Sequence, residues 1–259
     1  MNKVSVIIPA RNEEKTIGQV IDIVKKSKVD HEIIVVNNAS IDNTADIAKE
    51  KGVRVVNCDK VGKGNAMKVG LESAINEFVV FLDSDIVNYN ERIVEILVEP
   101  LIKRNVDFVK SAFDRTTGGV VTEVATKPLL ELLFPDMPKF IEPLSGMIAG
   151  KKSILETLDF EPDYGVDIGI LIDVINKNVK VEEVNIGQII NMSHVLKTNE
   201  TMKNMSIQIM RAMLKRYNRW IIEKIIIKMK QIKISLILIC FIFSCKNLLV
   251  KTQKKIYNI

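Results

Sequence analysis

The chain has 259 residues, of which 47% are hydrophobic, and this length can bury one full α/β core or one domain with an appendage. Its three cysteines, Cys58, Cys240 and Cys245, are too few and too scattered for a disulfide framework or a zinc cluster. The formal net charge of +5 is unevenly distributed along the chain. Residues 1–200 carry 24 basic and 31 acidic side chains, while residues 201–259 carry 13 basic and one acidic. Because the main part of the chain is acidic, nucleic acid is not expected as a partner.

The first half of the sequence alternates strands and helices. Val4–Ile8 predicts a strand that ends at Pro9, because proline cannot donate to a central ladder. Apolar residues then recur at helical spacing from Ile17 to Val24 and predict a helix packed by one face. This alternation predicts a parallel sheet with right-handed crossovers. The next predicted elements are strands over 32–36, 53–56 and 78–82, and helices over 42–51 and from residue 62 onward.

The fourth predicted strand, Phe78–Leu82, stops abruptly at Asp83-Ser84-Asp85. Side chains alternate in an extended segment, so Asp83 and Asp85 should lie on one side with Ser84 turned away. Two carboxylates this close repel each other unless a cation lies nearby, and Mg²⁺ prefers oxygen ligands of this kind. The plainer interpretation is that one acid caps the following helix while the other is solvated, and these residues alone leave both open.

Four loops should meet at one edge of the sheet. In open α/β sheets ligands bind beyond the carboxyl ends of the strands, where the loops at 9–13, 37–42, 59–64 and 83–85 are expected. Gly62-Lys63-Gly64 lacks the spacing of a P-loop, yet its glycines, its lysine and the following helix N-terminus suit a phosphate. A flexible turn is the alternative.

The later part of the chain predicts fewer strands and more helix. Strands are predicted over 179–184 and 186–190, and a helix opens within Tyr164–Gly169. A basic amphipathic helix over about 198–220 should cover the site edge, and its methionine and isoleucine stripe between Met202 and Met213 indicates core contact. The expected division is a domain over 1–220, with halves at 1–106 and 107–220, and a tail over 221–259.

The tail is rich in isoleucine and lysine. Within it, Ile234–Cys245 is an uncharged run of 12 residues, shorter than the about 20 apolar residues that span a bilayer unaided. Flanking lysines would allow an interfacial anchor on anionic lipid, and a low-complexity extension without function is the alternative. A cytoplasmic location is expected because no secretory signal precedes the first strand, with membrane association through the tail left open.

Several motifs carry a family resemblance. The stretches at 4–14, 37–44, 62–66 and 83–85 (VSVIIPARNEE, NNASIDNT, GKGNA and DSD) resemble, in order and spacing, the nucleotide-sugar half of family 2-type glycosyltransferases. Segments at 100–101, 109–111, 118–123, 143–146 and 164–169 are similar to glucosyl-3-phosphoglycerate synthases. The resemblance covers about residues 3–220. It implies the GT-A fold, an α/β fold with a mainly parallel central sheet flanked by helices.

The same resemblance implies a role for each matching residue. Asp85 and His194 would bind the divalent ion, Mg²⁺ or Mn²⁺, and Asp83 and Asp167 would be the catalytic carboxylates, with Asp167 near the transferred sugar. Lys63 would lie near the diphosphate. The implied nucleotide-sugar-binding residues are Pro9, Ala10, Asn12, Glu13, Asn37, Asn38, Ser40, Lys63, Asp83 and Ser84. The implied acceptor-binding residues are Gly119, Val120 and Thr122.

The sequence departs from the family pattern at five of these and neighbouring positions. Asn37 and Asn38 stand where acids are common, although amides can still hydrogen-bond uracil. Asp167 replaces a glutamate, Val120 an arginine and Met147 a glutamate. The last two changes remove charge from the expected acceptor site.

The function implied by the resemblance is metal-dependent transfer of a hexose to a small phosphorylated acceptor. UDP-glucose is the expected donor and 3-phosphoglycerate the expected acceptor. Two alternatives stay open: transfer to a polyprenyl phosphate at a membrane reached through the tail, and a non-catalytic nucleotide-sugar-binding homologue. A homodimer and peripheral membrane contact also stay open, and nucleic acid is not expected as a partner.

Overall fold

The computed structural model describes residues 3–115, 119–190 and 199–231. Within these ranges the chain forms seven strands, eight α-helices and one π-helix. The strands are β1 (Val4–Ala10), β2 (His31–Asn37), β3 (Arg54–Asn57), β4 (Phe78–Phe81), β5 (Phe108–Arg115), β6 (Ile148–Lys151) and β7 (Val181–Ile189). The α-helices are α1 (Ile17–Val24), α2 (Thr44–Glu50), α3 (Lys63–Ser73), α4 (Ile93–Lys103), α5 (Lys127–Leu133), α6 (Lys152–Leu155), α7 (Val166–Asn176) and α8 (Asn199–Gln231), and the π-helix is Val121–Thr126.

The strands form one sheet in the order β3-β2-β1-β4-β6-β5-β7. Strand β6 runs antiparallel to both of its neighbours, β4 and β5, and the other pairs are parallel. The predicted α/β fold with a mainly parallel sheet is therefore confirmed, and the first, second and fourth strands are neighbours. The antiparallel strand was not predicted.

Pro9 does not end the first strand, as the sequence had suggested. β1 continues to Ala10, and Pro9 stands in register with Val36 of β2. Ile7 accepts a hydrogen bond from Leu82 on the β4 side, so the alternation of a strand turns Pro9 to that side as well. The β4 ladder stops at the pair of Ile7 and Phe81, so the missing N–H of Pro9 has no ladder partner to leave unpaired.

Three other boundaries differ from the prediction. α2 begins at Thr44 rather than near Asp42, because the Asp42 carboxylate accepts the backbone N–H of Thr44 ahead of the helix. The two predicted late strands are a single strand, β7, which passes through Gly187 with φ of 87°. α8 continues beyond Trp220 to Gln231. The apolar stripe of α1 is confirmed, since Ile17 and Val24 and the two stripe residues between them are buried.

The chain divides into two compact units, Met1–Tyr217 and Asn218–Ile259. The first contains the whole sheet. In the second, the ammonium of Lys224 lies 4.0 Å from the centre of the Trp220 ring, a cation–π contact. Among the residues that the structure describes, there is no helix with the length and apolar character needed to cross a membrane. The uncharged run at 234–245 lies outside the described residues.

Because the sheet belongs entirely to the first unit, truncation after Trp220 should leave a folded, donor-binding protein. Circular dichroism and titration with UDP would check this expectation, with the full chain as reference. Loss of cooperative unfolding in the shortened protein would show that the tail is needed for the core. The expected domain boundary at residue 220 stays a prediction until then.

Candidate active site

The sheet topology places one cavity at a switch point. The chain leaves β1 toward β2 and β3 on one side and then returns to β4 on the other, so the carboxyl ends of β1 and β4 flank a crevice. A cavity of about 970 Å³ opens there. Its walls come from the loops after β1 and β4, the start of α3, the π-helix and α8. The predicted convergence of loops is thus observed for the segments at 9–13, 38, 61–63 and 83–86.

The loops after β1 and β2 brace each other. The Asn12 backbone N–H donates to the Ser40 hydroxyl at 3.1 Å, and the Ile41 N–H donates to the Asn12 side-chain oxygen at 2.9 Å. The Glu13 N–H donates to the Thr44 hydroxyl at 2.7 Å. Asn12 has φ of 57°, a left-handed conformation that asparagine tolerates. These bonds hold the first loop open toward the cavity.

The expected nucleotide-sugar-binding residues divide into two groups. Asn37 and Ser40 are absent from the cavity wall. The Asn37 side chain donates to the Asn57 side chain and accepts the Ser40 backbone N–H, so these bonds stabilise the loop after β2. The assignment of Asn37 and Ser40 as ligand contacts stays a prediction. The others line the cavity, namely Pro9, Ala10, Asn12, Glu13, Asn38, Lys63, Asp83 and Ser84.

A charged triad lies at the centre of the cavity. The Lys63 ammonium lies 3.0 Å from Oδ1 of Asp83 and 2.9 Å from Oδ2 of Asp167, so one cation bridges the two expected catalytic carboxylates. Asp167 is 6% exposed, and its Oδ1 has no hydrogen-bond partner in the described parts of the chain. A buried carboxylate oxygen without a donor is costly unless a ligand supplies one. Asp167 Oδ1 is thus a buried acceptor that the described residues leave without a donor.

The triad shifts the titration of its members. Burial raises the pKa of Asp167, the Lys63 charge opposes that rise, and the Asp83 charge adds to it. Burial alone would lower the pKa of Lys63, but the charges of Asp167 and Asp83 outweigh it and hold this pKa above its usual value. Lys63 therefore stays protonated at neutral pH.

Three glycines make the triad possible by their lack of a side chain. A Cβ on Gly146 would lie 2.2 Å from the Lys63 ammonium and 2.7 Å from Asp83 Oδ1. Gly62 has φ of 139°, and a Cβ there would lie 2.2 Å from the Pro162 carbonyl oxygen. A Cβ on Gly64 would lie 1.6 Å from the Glu161 carbonyl oxygen. The paired glycines of α3 therefore let the segment before α7 approach, a role that the phosphate hypothesis did not include.

The acids after β4 lie on the cavity wall together with the serine between them. The extended conformation ends before Ser84, where a turn begins, so Ser84 lines the cavity with Asp83 and Asp85 instead of turning away from it. Tyr89 holds this turn, since its hydroxyl donates to the Asp83 carbonyl and accepts the Asp83 N–H, both at 3.0 Å. Tyr89 was missed because nothing in its local sequence distinguishes it from a core tyrosine.

The metal hypothesis rests on Asp85 within the described chain. His194, the second expected ligand, lies outside the described residues. No group of three or more histidine, cysteine, aspartate or glutamate side chains suited to a metal occurs within the residues that the structure describes. Mg²⁺ is commonly held by one or two carboxylates together with substrate phosphates, so the carboxylate oxygens of Asp85 and Asp83 fit such an ion when a diphosphate is bound.

The expected acceptor residues form another part of the cavity wall. Gly119, Val120 and Thr122 all line it; Gly119 has φ of 84°, and Val120 is 62% exposed. Met147 is buried and also lines the cavity. Lys127, a cation close in sequence to these residues, is paired with Glu123 and is not on the wall. The side chain of Arg115 lies outside the described residues.

Helix α8 forms part of the cavity wall, although its apolar stripe was predicted only to contact the core. Met202, Met205 and Ile209 line the cavity, so the stripe that indicated core contact also faces the ligand space. Arg216, 1% exposed, fixes the helix by donating to Asp173 of α7 at 2.7 and 3.0 Å. It also donates to Glu161 at 2.7 Å. These contacts connect segments distant in sequence, so no local pattern could have identified Arg216.

Lys110 is a second buried cation near the triad. It is fully buried in β5 and donates to the Ser145 carbonyl at 2.6 Å, which supports the turn that carries Gly146. Burial lowers the pKa of Lys110 to about 8, although the Asp167 charge opposes that shift. A lysine within the apolar run of β5 was the available sequence signal for this residue.

Comparison with known proteins gives a consistent result. The family model described as glycosyl transferase family 2 matches residues 5–157. Glucosyl-3-phosphoglycerate synthase of Petrotoga mobilis is 37% identical over 199 residues, 68% of this chain and 61% of the relative. The Mycobacterium tuberculosis protein of that name is 36% identical over 211 residues, 71% of this chain and 65% of the relative. The matches therefore span less than two thirds of the length of these curated relatives.

Solved structures agree with the sequence comparison. A crystal structure of the Mycobacterium tuberculosis glucosyl-3-phosphoglycerate synthase in complex with Mn²⁺, UDP-glucose and phosphoglyceric acid is similar with a TM-score of 0.77 at 34% identity, covering 84% of this chain and 80% of that chain. A structure of the same protein with Mg²⁺ and UDP matches with the same score and coverage. The resemblance drawn from the sequence motifs is confirmed.

Proposed function

Because the chain belongs to glycosyl transferase family 2, we propose that it is a metal-dependent glycosyltransferase that moves glucose from UDP-glucose to a small phosphorylated acceptor such as 3-phosphoglycerate. The observation that carries the proposal is the triad in the cavity, in which Lys63 bridges Asp83 and Asp167 within 3.0 Å. The likeness to proteins crystallised with UDP-glucose and phosphoglyceric acid supports the choice of donor and acceptor.

The reaction requires stabilisation of a departing diphosphate. The acceptor hydroxyl oxygen forms a bond to the anomeric carbon, the bond from that carbon to the diphosphate oxygen breaks, and the hydroxyl proton is released. Negative charge grows on the departing oxygen, and Lys63, whose side chain is 18% exposed and held between its two carboxylates, is proposed to stabilise that charge. A divalent ion held by Asp85, with His194 as its expected second ligand, would add Lewis-acid stabilisation.

Asp167 is proposed to hold the transferred sugar. Asp167 lines the cavity; its Oδ2 accepts a hydrogen bond from Lys63, while its Oδ1 is shielded from solvent and has no hydrogen-bond partner among the described residues. A sugar hydroxyl that donates to Oδ1 would satisfy this buried oxygen. The same contact would fix the anomeric carbon relative to the diphosphate, which is the positioning that a two-substrate reaction needs.

The proposed function is tested by product analysis. The purified chain is incubated with UDP-glucose, Mn²⁺ or Mg²⁺, and 3-phosphoglycerate, and glucosyl-3-phosphoglycerate is sought by mass spectrometry. Parallel reactions omit the metal or replace the acceptor by a polyprenyl phosphate. Product only with the polyprenyl phosphate would favour the membrane alternative. UDP binding without transfer to either acceptor would favour the non-catalytic alternative.

Val120→Arg should improve the use of 3-phosphoglycerate. Within the described residues, the acceptor part of the wall over 113–147 carries no cationic side chain, and Val120 is exposed enough to be replaced without loss of core packing. A guanidinium can form bidentate bonds with phosphate or carboxylate. One such bond contributes about 1.5–3 kcal/mol, which predicts about a ten- to hundredfold lower KM.

Val124→Arg is the matched control for this prediction. Val124 lies in the π-helix that Val120 immediately precedes and is 73% exposed, but it does not line the cavity. Initial rates across a range of 3-phosphoglycerate concentrations would compare the two variants with the natural chain. Tight use of 3-phosphoglycerate by the natural chain, unchanged by Val120→Arg, would contradict the prediction.

A further inference from the structure

The Asn38 side chain is buried, and its amide is hydrogen-bonded to backbone groups of the protein. It follows β2 and is 3% exposed. Its amide nitrogen donates to the Lys60 carbonyl at 2.7 Å and to the Cys58 carbonyl at 3.2 Å. Its amide oxygen accepts the Gly62 backbone N–H at 2.8 Å. Both amide hydrogens and one oxygen lone pair are therefore used inside the protein.

These bonds fix the orientation of the amide. Rotation by half a turn would place the oxygen against two carbonyls and the amide hydrogens against the Gly62 N–H, so only one orientation satisfies the buried groups. The backbone N–H of Asn38 also donates to the Ala10 carbonyl at 2.9 Å. A continuous set of hydrogen bonds thus joins the end of β1, the loop after β3 and Gly62, the residue before α3.

Gly62 determines the position of Lys63. Gly62 is the residue before α3, with φ of 139° and ψ of 140°, and Lys63 is the first residue of the helix. The backbone N–H of Gly62 donates to the Asn38 amide oxygen at the point where the loop ends and the helix begins. A shift of Gly62 would move Lys63 relative to Asp83 and Asp167.

We propose that Asn38 is a positioning residue that holds the Gly62-Lys63 segment in place for a diphosphate, rather than a residue that reads the nucleoside base. The side chain must donate twice and accept once, which an amide does and a carboxylate cannot. The choice of UDP as probe rests on the proposed function. The positioning itself concerns the protein without ligand and is tested separately.

The first experiment compares binding of UDP and uridine, each with Mn²⁺, by calorimetry. Asn38→Asp removes both donors and buries a carboxylate beside two carbonyls, so UDP affinity should fall about tenfold or more. Uridine affinity should change by less than about threefold. Asn57→Asp is the control, because Asn57 is exposed and its side-chain oxygen accepts a hydrogen bond from Asn37, which a carboxylate can also accept. Equal losses for uridine and UDP would overturn the proposal.

The second experiment needs no ligand. Hydrogen exchange of the backbone amides at 60–65 should be faster in Asn38→Asp than in the natural chain and unchanged in Asn57→Asp. Unchanged exchange at these amides in Asn38→Asp would overturn the proposal even if UDP binding changed. If the natural chain bound no UDP, the proposed function would fail while this comparison would still decide the role of Asn38.

A third measurement separates positioning from general loss of structure. Burial raises the pKa of a carboxyl group, and the protonated form can donate one hydrogen bond to the Lys60 carbonyl. UDP affinity of Asn38→Asp, taken as a ratio to the natural chain, should therefore recover as the pH falls from 8 to 5.5. A flat ratio would count against the proposal. Other titratable groups on the segments around Asn38 are Arg11, Glu13, Cys58, Asp59, Lys60 and Lys63.

Asn38→Ser keeps the test available if the aspartate variant does not fold. A hydroxyl donates once and introduces no charge, so the same pattern is expected with a smaller amplitude: weaker UDP binding, little change for uridine and faster exchange at 60–65. An unchanged UDP affinity together with unchanged exchange in Asn38→Ser would overturn the proposal.

Discussion

Asp85→Ala is expected to lower kcat/KM for UDP-glucose by at least about a hundredfold and to remove the dependence of the residual rate on Mn²⁺. The Asp85 carboxylate is part of the cavity wall in the turn after β4, and it is the one expected metal ligand that the described chain contains. A divalent ion contributes several kcal/mol to stabilising charge on a departing diphosphate, so loss of its ligand should appear mainly in kcat.

The fold should survive this change, because Asp85 is not part of the apolar core. Asp46→Ala is a suitable control, since Asp46 is an exposed acid paired with Lys49 on α2, away from the cavity. Steady-state rates at several Mn²⁺ concentrations, together with thermal unfolding of each variant, would measure both effects. Normal turnover in Asp85→Ala would show that this acid only shapes the turn.

Lys63→Met is expected to lower kcat/KM by about a hundred- to a thousandfold, in the range seen when one donor to a developing oxyanion is removed. The substitution keeps the length of the side chain but leaves Asp83 and Asp167 without their shared cation. Donor binding should weaken as well, because the diphosphate loses a positive charge. Lys68→Met, on the exposed face of the same helix, is the matched control.

The stability of Lys63→Met should also depend on pH in a defined direction. The pKa of Asp167 is already raised by burial, and without the opposing Lys63 charge it should rise further. The folded state then keeps a proton that the unfolded state releases, so stability should fall as the pH rises from the ordinary aspartate range, about 4, through the raised pKa. Urea unfolding across that window would test this, and a parallel pH dependence in Lys68→Met would contradict it.

Local sequence patterns predicted those parts of the site that lie within a single strand, helix or loop. The apolar run of β4 and the acids after it located Asp83 and Asp85, and the paired glycines located the start of α3. The contacts that complete the site join residues far apart in the chain. Asp167 reaches Lys63 from 104 positions away, and Arg216 reaches Asp173 from 43, so no periodicity could reveal these pairs.

The antiparallel strand escaped prediction for a related reason. The four residues of β6, Ile148–Lys151, form a run too short to carry a periodic signal, and their pairing depends on β4 and β5. Asn38 shows another limit, because a side chain that hydrogen-bonds to backbone leaves no trace in composition or spacing. Its motif predicted a place at the nucleotide-sugar site, but the motif could not identify the backbone groups to which its amide is hydrogen-bonded.

The bare Cα of Gly146 has a consequence for engineering new acceptor specificities. Gly146 precedes β6 in the second half of the chain, yet it lies against Lys63 and Asp83 of the first. An acceptor half grafted from another transferase would therefore bring its own residue into the space that the lysine occupies. We therefore expect a chimaera joined near residue 106 to retain donor binding only if the graft carries a glycine at position 146 and an acid at position 167.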